Sequence, residues 1–413
     1  MSFVAVLTCS HESVAEEPTT VIAPLAEAAA PAVPTTPPLP TVRHVDINHV
    51  LSTGQSLSTG ANGVPALTRT QPFHNVMFGT GVMAGSEMLV RFVPLVEGGQ
   101  ETMSSAFANL ATGVDHEILV SAHGVNGAPY WAIKRGTKPY AIGLAQMRAA
   151  REVARANNQS YVVRAVTTVH GESDHVIANR NYESDLLAWQ ADYERDARAL
   201  TGQTEPVPMF ETQTSSWTRY GTTTSVIPGL QLSAHVDSSG KIVLVGPKYH
   251  LSYSGDGIHL TSEGYRHMGE DYAKAYRRVV IEGGAWEPVR PKSVTRAGDV
   301  VTATFFVPSP PLALDTTLVT NPGDYGFEYV DETGATPKIA SVSVTAPDTV
   351  AITLSAPPTG TQAHLRYAYT GVLHAKGGPT TGPRGNLRDS DATVSRSGDP
   401  LYNWCVHFDE PVR

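Results

Sequence analysis

Gly54-Gln55-Ser56-Leu57-Ser58 stands directly behind the apolar run 45–51 (VDINHVL). The run reads as a short buried strand. A small polar residue just past a strand end, flanked by glycine, is where an α/β protein exposes a nucleophile. Glycine permits the sharp turn, and the strand end fixes the hydroxyl in space. A serine is not reactive alone. It needs a base, and the base needs an orienting carboxylate.

Two further apolar strands end in the same way. Residues 118–120 run into His123-Gly124-Val125-Asn126-Gly127, and residues 161–169 (YVVRAVTTV) run into His170-Gly171-Glu172-Ser173-Asp174. Residues 141–157 carry helical spacing, with Ile142, Ala145, Ala149, Val153 and Ala156 on one face, and a second helix is expected over about 181–200. Short strands are expected over 207–212 and 242–245. Residues 222–235 read as helical but broken by Pro228 and Gly229, and a last helix follows Thr261 to about Val280. Residues 60–116 are Gly-rich and irregular and are expected to form a long loop region or lid. Alternating strands and helices imply a parallel sheet covered on both faces, a three-layer α/β domain. Ligands in such folds bind beyond the carboxyl ends of the strands, so the three strand-end motifs converge on one edge.

The pattern changes near Pro288. Short β-branched runs appear at 300–307, 338–344, 349–354 and 364–369, and the segment 401–408 (LYNWCVHF) reads as a closing strand. This is the pattern of a small all-β sandwich. The expected organisation is a Pro/Ala/Thr-rich tether over 1–43, an α/β domain over 44–286 and a β-domain over 287–413.

Of the 413 residues, 41% are hydrophobic, and the net charge is −9 with the basic residues scattered. That argues against nucleic acid or an anionic membrane surface as partner. The two cysteines, Cys9 and Cys405, show no metal-ligand spacing, and no stretch is long enough to span a bilayer. The opening MSFVAVLTCS resembles the end of a bacterial lipoprotein signal, with Cys9 followed by a polar tether. A lipid anchor at Cys9 with an extracytoplasmic location is one reading of this stretch, and a disordered tail of no consequence is the other.

Asp256-Gly257-Ile258-His259 supplies what Ser56 lacks. An Asp three residues before a His, on a turn into a helix, places a carboxylate beside the imidazole. One ring nitrogen stays protonated and the other is left to take a serine proton. His170, Glu172, Asp174 and His175 are metal-ligand types without a ligand spacing, and structural roles are expected for them. Trp131, Trp189 and Trp217 are expected in the core.

In this order the motifs resemble the SGNH (GDSL-like) hydrolase superfamily. The resemblance runs over about residues 45–282 and is strongest to the branch of sialate O-acetylesterases and acetyl-xylan esterases, whose blocks read G-Q-S and Q-G-E-S-D. It implies Ser56 as nucleophile, Asp256 and His259 as acid and base, and the backbone N–H groups of Ser56 and Gly124 as oxyanion donors. The superfamily's third donor, an Asn in G-x-N-D, is missing from Gly171-Glu172-Ser173-Asp174, and His170 replaces the branch's Gln. Ser173 stands for the third donor, with Gln55 and His170 as alternatives. Gln55, Asn126 and Glu172 are expected at the substrate. The implied activity is hydrolysis of small acyl esters, acetyl above all, on a carbohydrate, with no metal or organic cofactor. A lipase or thioesterase, or a non-catalytic carbohydrate-binding protein on the same scaffold, are the alternatives.

Overall fold

The computed structural model describes Met1 and residues 44–413 except Val114. The expected tether and its Cys9 lipid-anchor residue lie outside the described residues. No helix among those described is long and apolar enough to cross a membrane.

Seven strands form the central sheet: β1 (Ile47–Gly54), β2 (Val76–Phe78), β3 (Phe92–Pro94), β4 (Ile118–Ala122), β5 (Tyr161–Val169), β6 (Met209–Thr212) and β7 (Ile242–Gly246). Their order is β3-β2-β4-β1-β5-β6-β7, parallel throughout except for the antiparallel edge strand β3. Among the described residues seven α-helices accompany them: α1 (Ser104–Ala111), α2 (Tyr130–Ile133), α3 (Lys138–Ala156), α4 (Glu172–Val176), α5 (Tyr182–Thr201), α6 (Ile227–Asp237) and α7 (Ser262–Tyr276). β1 lies between β4 and β5 and is buried along its whole length. Val50 packs with residues of α1 and α7, and its neighbour Leu51 packs with residues of α3, α5 and α6. Successive strand side chains point to opposite faces, so a doubly covered strand must be apolar on both. Fully burying each such side chain contributes roughly 1.5–3 kcal/mol. Two buried polar residues of β1 are hydrogen-bonded. His49 bonds Tyr161 and Ser121 through its two ring nitrogens, and Asn48 donates to Val45 O and Glu117 O.

Three expectations change in detail. The α3 helix forms, but of the five residues placed on its inner face only Val153 is buried; the sheet-facing positions include Tyr140, Gly143, Gln146, Met147 and Ala150. Gly143 faces the His123 ring, and Gln146 donates to Ala122 O at 3.2 Å, so a glycine and a satisfied amide occupy places that apolarity alone would not choose. Pro228 and Gly229 do not break α6. They lie in its first turns, where a missing proline N–H has no helical partner to lose. Residues 60–116 are irregular only in part, since they contain β2, β3 and α1.

From Arg290 the chain is all β. A four-stranded antiparallel sheet runs β12-β13-β9-β8, built from β8 (Arg290–Ala297), β9 (Val300–Phe306), β12 (Ile339–Ala346) and β13 (Thr349–Leu354). A three-stranded sheet runs β11-β14-β16, from β11 (Phe327–Val330), β14 (His364–Tyr367) and β16 (Phe408–Pro411), and β10 (Ala313–Leu314) pairs with β15 (Leu387–Arg388). Val301, Ala303, Phe305, Val350 and Ile352 share a core with Phe327, Leu365, Tyr367 and Phe408, which makes the part sandwich-like. Leu232, Leu244 and Tyr249 of the α/β part join the same core, and residues 44–413 lie in one compact unit. The segment 401–408 is a strand only from Phe408; before it, Cys405 is buried and unbridged, and its carbonyl accepts from Tyr249 Oη at 2.7 Å.

Candidate active site

The sheet order places β1 between strands that lead to opposite sides, and the loops after β1, β4 and β5 open at the same end. β1 stops at Gly54, whose φ is +127° and where a Cβ would lie 2.4 Å from Val169 O. Only glycine fits there. Gln55 N–H then donates to Val169 O at 3.1 Å, and the chain turns tightly, with Ser58 N–H on Gln55 O and Ala61 N–H on Ser56 O.

That turn delivers Ser56 to the cleft. Its Oγ lies 2.7 Å from His259 Nε2, and His259 Nδ1 lies 2.6 Å from Asp256 Oδ2. Ser58 takes no part. It is buried, its hydroxyl donates to Gln55 O, and it fills the space beside Gly124, where any Cβ would collide with it.

Asp256 and His259 arrive on the loop between β7 and α7. Asp256 Oδ1 accepts from the N–H groups of Ile258 (2.9 Å) and His259 (3.0 Å) and from Ser254 Oγ (2.9 Å). Oδ2 accepts from Asn62 Nδ2 at 2.8 Å as well as from His259. Partial burial pushes the Asp256 carboxyl up, but the hydrogen bonds from His259, the two backbone amides and Ser254 outweigh it and hold it down at about 2. It is ionised at any working pH. The loop is anchored by Thr261, which caps α7 by accepting from Gly264 N–H, and by the contact of Ser262 Oγ with Pro65 O. The β part braces it too. Gly377 N–H donates to Gly257 O at 2.9 Å, and Thr218, beside Arg219, holds Ala375 O through its hydroxyl. Arg219 Nε itself donates to Asp256 O at 2.8 Å.

A cleft of about 520 Å³ opens over Ser56 and His259. Gln55, Asn126 and Ser173 line it, together with Asn62, Tyr220 and an apolar wall of Val176, Ile177, Ile258 and Pro129. Among the described residues the amides of Ser56 and Gly124 donate to no protein acceptor. Ser173 N–H donates to the Gln55 side-chain oxygen at 3.1 Å. An N–H can only donate, so this bond fixes the Gln55 amide, and its Nε2 is the end left for the cleft.

Other expected site residues lie elsewhere. His170 is buried, with Nδ1 on Tyr182 Oη (2.7 Å) and Nε2 on Ala128 O (2.9 Å), so it has no nitrogen to offer an oxyanion. Glu172 does not reach the cleft. It is buried against the equally buried Lys248, Oε1 to Nζ 2.9 Å, an ion pair not angled as a hydrogen bond. Asp174 ties the loops together by accepting from Tyr130 N–H and Asn179 Nδ2, and His175 is held by Ser225 and Thr222. His123 is buried against Tyr193 Oη. Trp189 and Trp217 are core residues, whereas Trp131 is exposed. Asn62 and Tyr220 were not foreseen; Asn62 sits in a glycine-punctuated turn with φ +68° and carries no periodic signal.

No family model and no curated protein matches the chain. Among solved structures, a carbohydrate acetylesterase from Xanthomonas citri aligns over 88% of this chain and 80% of its own, at 14% identity and a TM-score of 0.57. A protein from Arabidopsis thaliana aligns over 55% and 97% of the two chains, at 17% identity and a TM-score of 0.40. A carbohydrate acetylesterase from Sinorhizobium meliloti aligns over 55% and 97%, at 12% identity and a TM-score of 0.31. The chain shares its fold, a parallel sheet between two helix layers with an all-β part after them, over most of its length with the Xanthomonas protein.

Proposed function

We propose that the chain is an SGNH-type serine esterase that removes small acyl groups, acetyl above all, from a carbohydrate. The observation that carries this reading is the unbroken line from Ser56 Oγ through His259 to Asp256 at the floor of an open cleft. His259 Nε2 takes the Ser56 proton as Oγ attacks the ester carbonyl carbon. The tetrahedral oxyanion is held by the amides of Ser56 and Gly124 and by a third donor. The C–O bond to the alcohol breaks, and His259 returns the proton to the leaving alcohol. Water then gives a proton to His259 and attacks the acyl-enzyme. The acid leaves, and Ser56 recovers its proton.

Gln55 Nε2 serves as the third donor in this reading, because its orientation is fixed by Ser173. Gln55→Glu keeps the acceptor for Ser173 N–H and removes the donor. It is expected to lower kcat by at least about 10²–10³-fold with little change in KM, measured with p-nitrophenyl acetate. An unchanged kcat would move the role to the Ser173 hydroxyl or to Asn126.

The second reading is an esterase for longer acyl chains. It is favoured by Val176 and Ile177, which are 58% and 50% exposed on the cleft wall. Hydrolysis rates across p-nitrophenyl acetate, butyrate and octanoate separate the two. The acetyl reading expects kcat/KM to fall from acetate to octanoate, and a rise along the series would replace it with the second. Release of acetate from acetylated xylan and from O-acetylated sialic acid then tests the carbohydrate.

A further inference from the structure

On α7, His267 and Asp271 are one turn apart and share a face. His250, from the loop behind β7, meets them there. One ligand atom from each of the three lies within 4.8 Å of the others, and His250 Nε2 is already 3.0 Å from Asp271 Oδ2. The His250 and His267 rings meet edge to face at 5.6 Å, and Trp404 of the β part stacks on His250.

The group has unused bonding capacity. Asp271 is 8% exposed, yet its Oδ1 has no hydrogen bond. Among the described residues the ring of His267 makes no hydrogen bond. Lys274 Nζ approaches Asp271 Oδ1 to 3.5 Å, but its protons go to Leu401 O, to Asn403 Oδ1 at 2.8 Å and towards Asp391 at 3.4 Å. One ammonium thus faces two carboxylates, Asp271 and Asp391, and the local charge is negative. Buried polar atoms without partners are rare in native proteins and call for a specific account.

We propose that His250, His267 and Asp271 bind a divalent transition-metal ion, with zinc the best match. Two imidazoles and one carboxylate are a zinc donor set, completed by water in a tetrahedral shell. Bonds of about 2.0–2.1 Å require the ligand atoms to close to roughly 3.3 Å from one another. The His250–Asp271 pair is there already, so His267 makes the main adjustment. None of the three lines the cleft, and the ion has no part in the acyl transfer. It would clip α7 to the root of the loop that carries Asp256 and His259, and, through the Trp404 stack, hold that root against the β part.

The test uses the untagged full chain, stripped with chelator and titrated with Co²⁺ and Zn²⁺. The proposal expects one equivalent of Co²⁺ with the visible absorption of a four-coordinate site, displaced by Zn²⁺. Zn²⁺ at a hundredfold excess over Kd is expected to raise Tm by roughly 2–5 °C. His267→Ala and the size-conserving His267→Gln should each weaken binding at least tenfold, as should His250→Ala. A wild-type chain that binds neither metal saturably up to millimolar concentration overturns the proposal without reference to any variant. Binding undiminished in the His267 and His250 variants overturns it as well, by placing the metal elsewhere.

Discussion

Ser56→Ala is expected to abolish hydrolysis of p-nitrophenyl acetate, with kcat lower by roughly 10⁵–10⁶-fold and a small residual rate from the oxyanion donors alone. The size of the effect follows from the geometry. Ser56 Oγ is the hydroxyl on His259 Nε2, and the nearest rival, Ser58, spends its proton on Gln55 O in a buried position. The fold should not change. Gly54 and the turn bonds that follow it are made by backbone, and the Ser56 hydroxyl supports nothing besides His259. Circular dichroism and Tm are therefore expected to match wild type. A variant that folds and retains more than about a hundredth of the activity would remove Ser56 from the mechanism.

Asp256→Asn carries the second large effect, about 10⁴-fold in kcat. Asp256 only accepts: three bonds on Oδ1 and two on Oδ2. Two of the Oδ1 donors are backbone N–H groups, which cannot reverse, so the oxygen of an asparagine must take that side. Its NH₂ then faces His259 Nδ1 and the Asn62 amide. The imidazole can meet an NH₂ only by accepting through Nδ1, which puts its proton on Nε2. A protonated Nε2 cannot take the proton of Ser56. The expected signature is a fall in kcat with KM nearly unchanged, because the cleft walls are untouched. A loss below tenfold in steady-state kinetics would mean that His259 is oriented by something other than Asp256.

The site was legible where a signal is local. Gly54, Gly124 and Gly171 each end an apolar strand, and alternation of strand and helix was enough to bring them to one edge. Asp256 and His259 sit within four residues on one loop, so their pairing could be read from spacing. Partners distant in sequence left no such mark. The Glu172–Lys248 ion pair joins residues on different loops, and from sequence Glu172 reads as one more polar residue at the substrate. Residues 60–116 hid two strands and a helix because carboxylates rather than apolar periodicity hold part of them: Glu101 accepts from Leu67 N–H, Thr68 N–H and the Thr68 hydroxyl, and Glu97 from Thr102 and Ser105. The change of pattern near Pro288 marked where the all-β part begins but not what it does for the site. Its loop at Gly377 reaches the Gly257 carbonyl, beside Asp256, and its Tyr367 and Trp404 share one core with Tyr249.

Ser56, activated by His259, is proposed to form a covalent acyl-enzyme. Intact-protein mass spectrometry after treatment with a fluorophosphonate, followed by peptide mapping, tests it most directly. The account expects a single adduct on the peptide that contains Ser56, slowed by orders of magnitude in His259→Ala and absent in Ser56→Ala. No adduct on a folded wild-type chain, or an adduct that persists in Ser56→Ala, would contradict it.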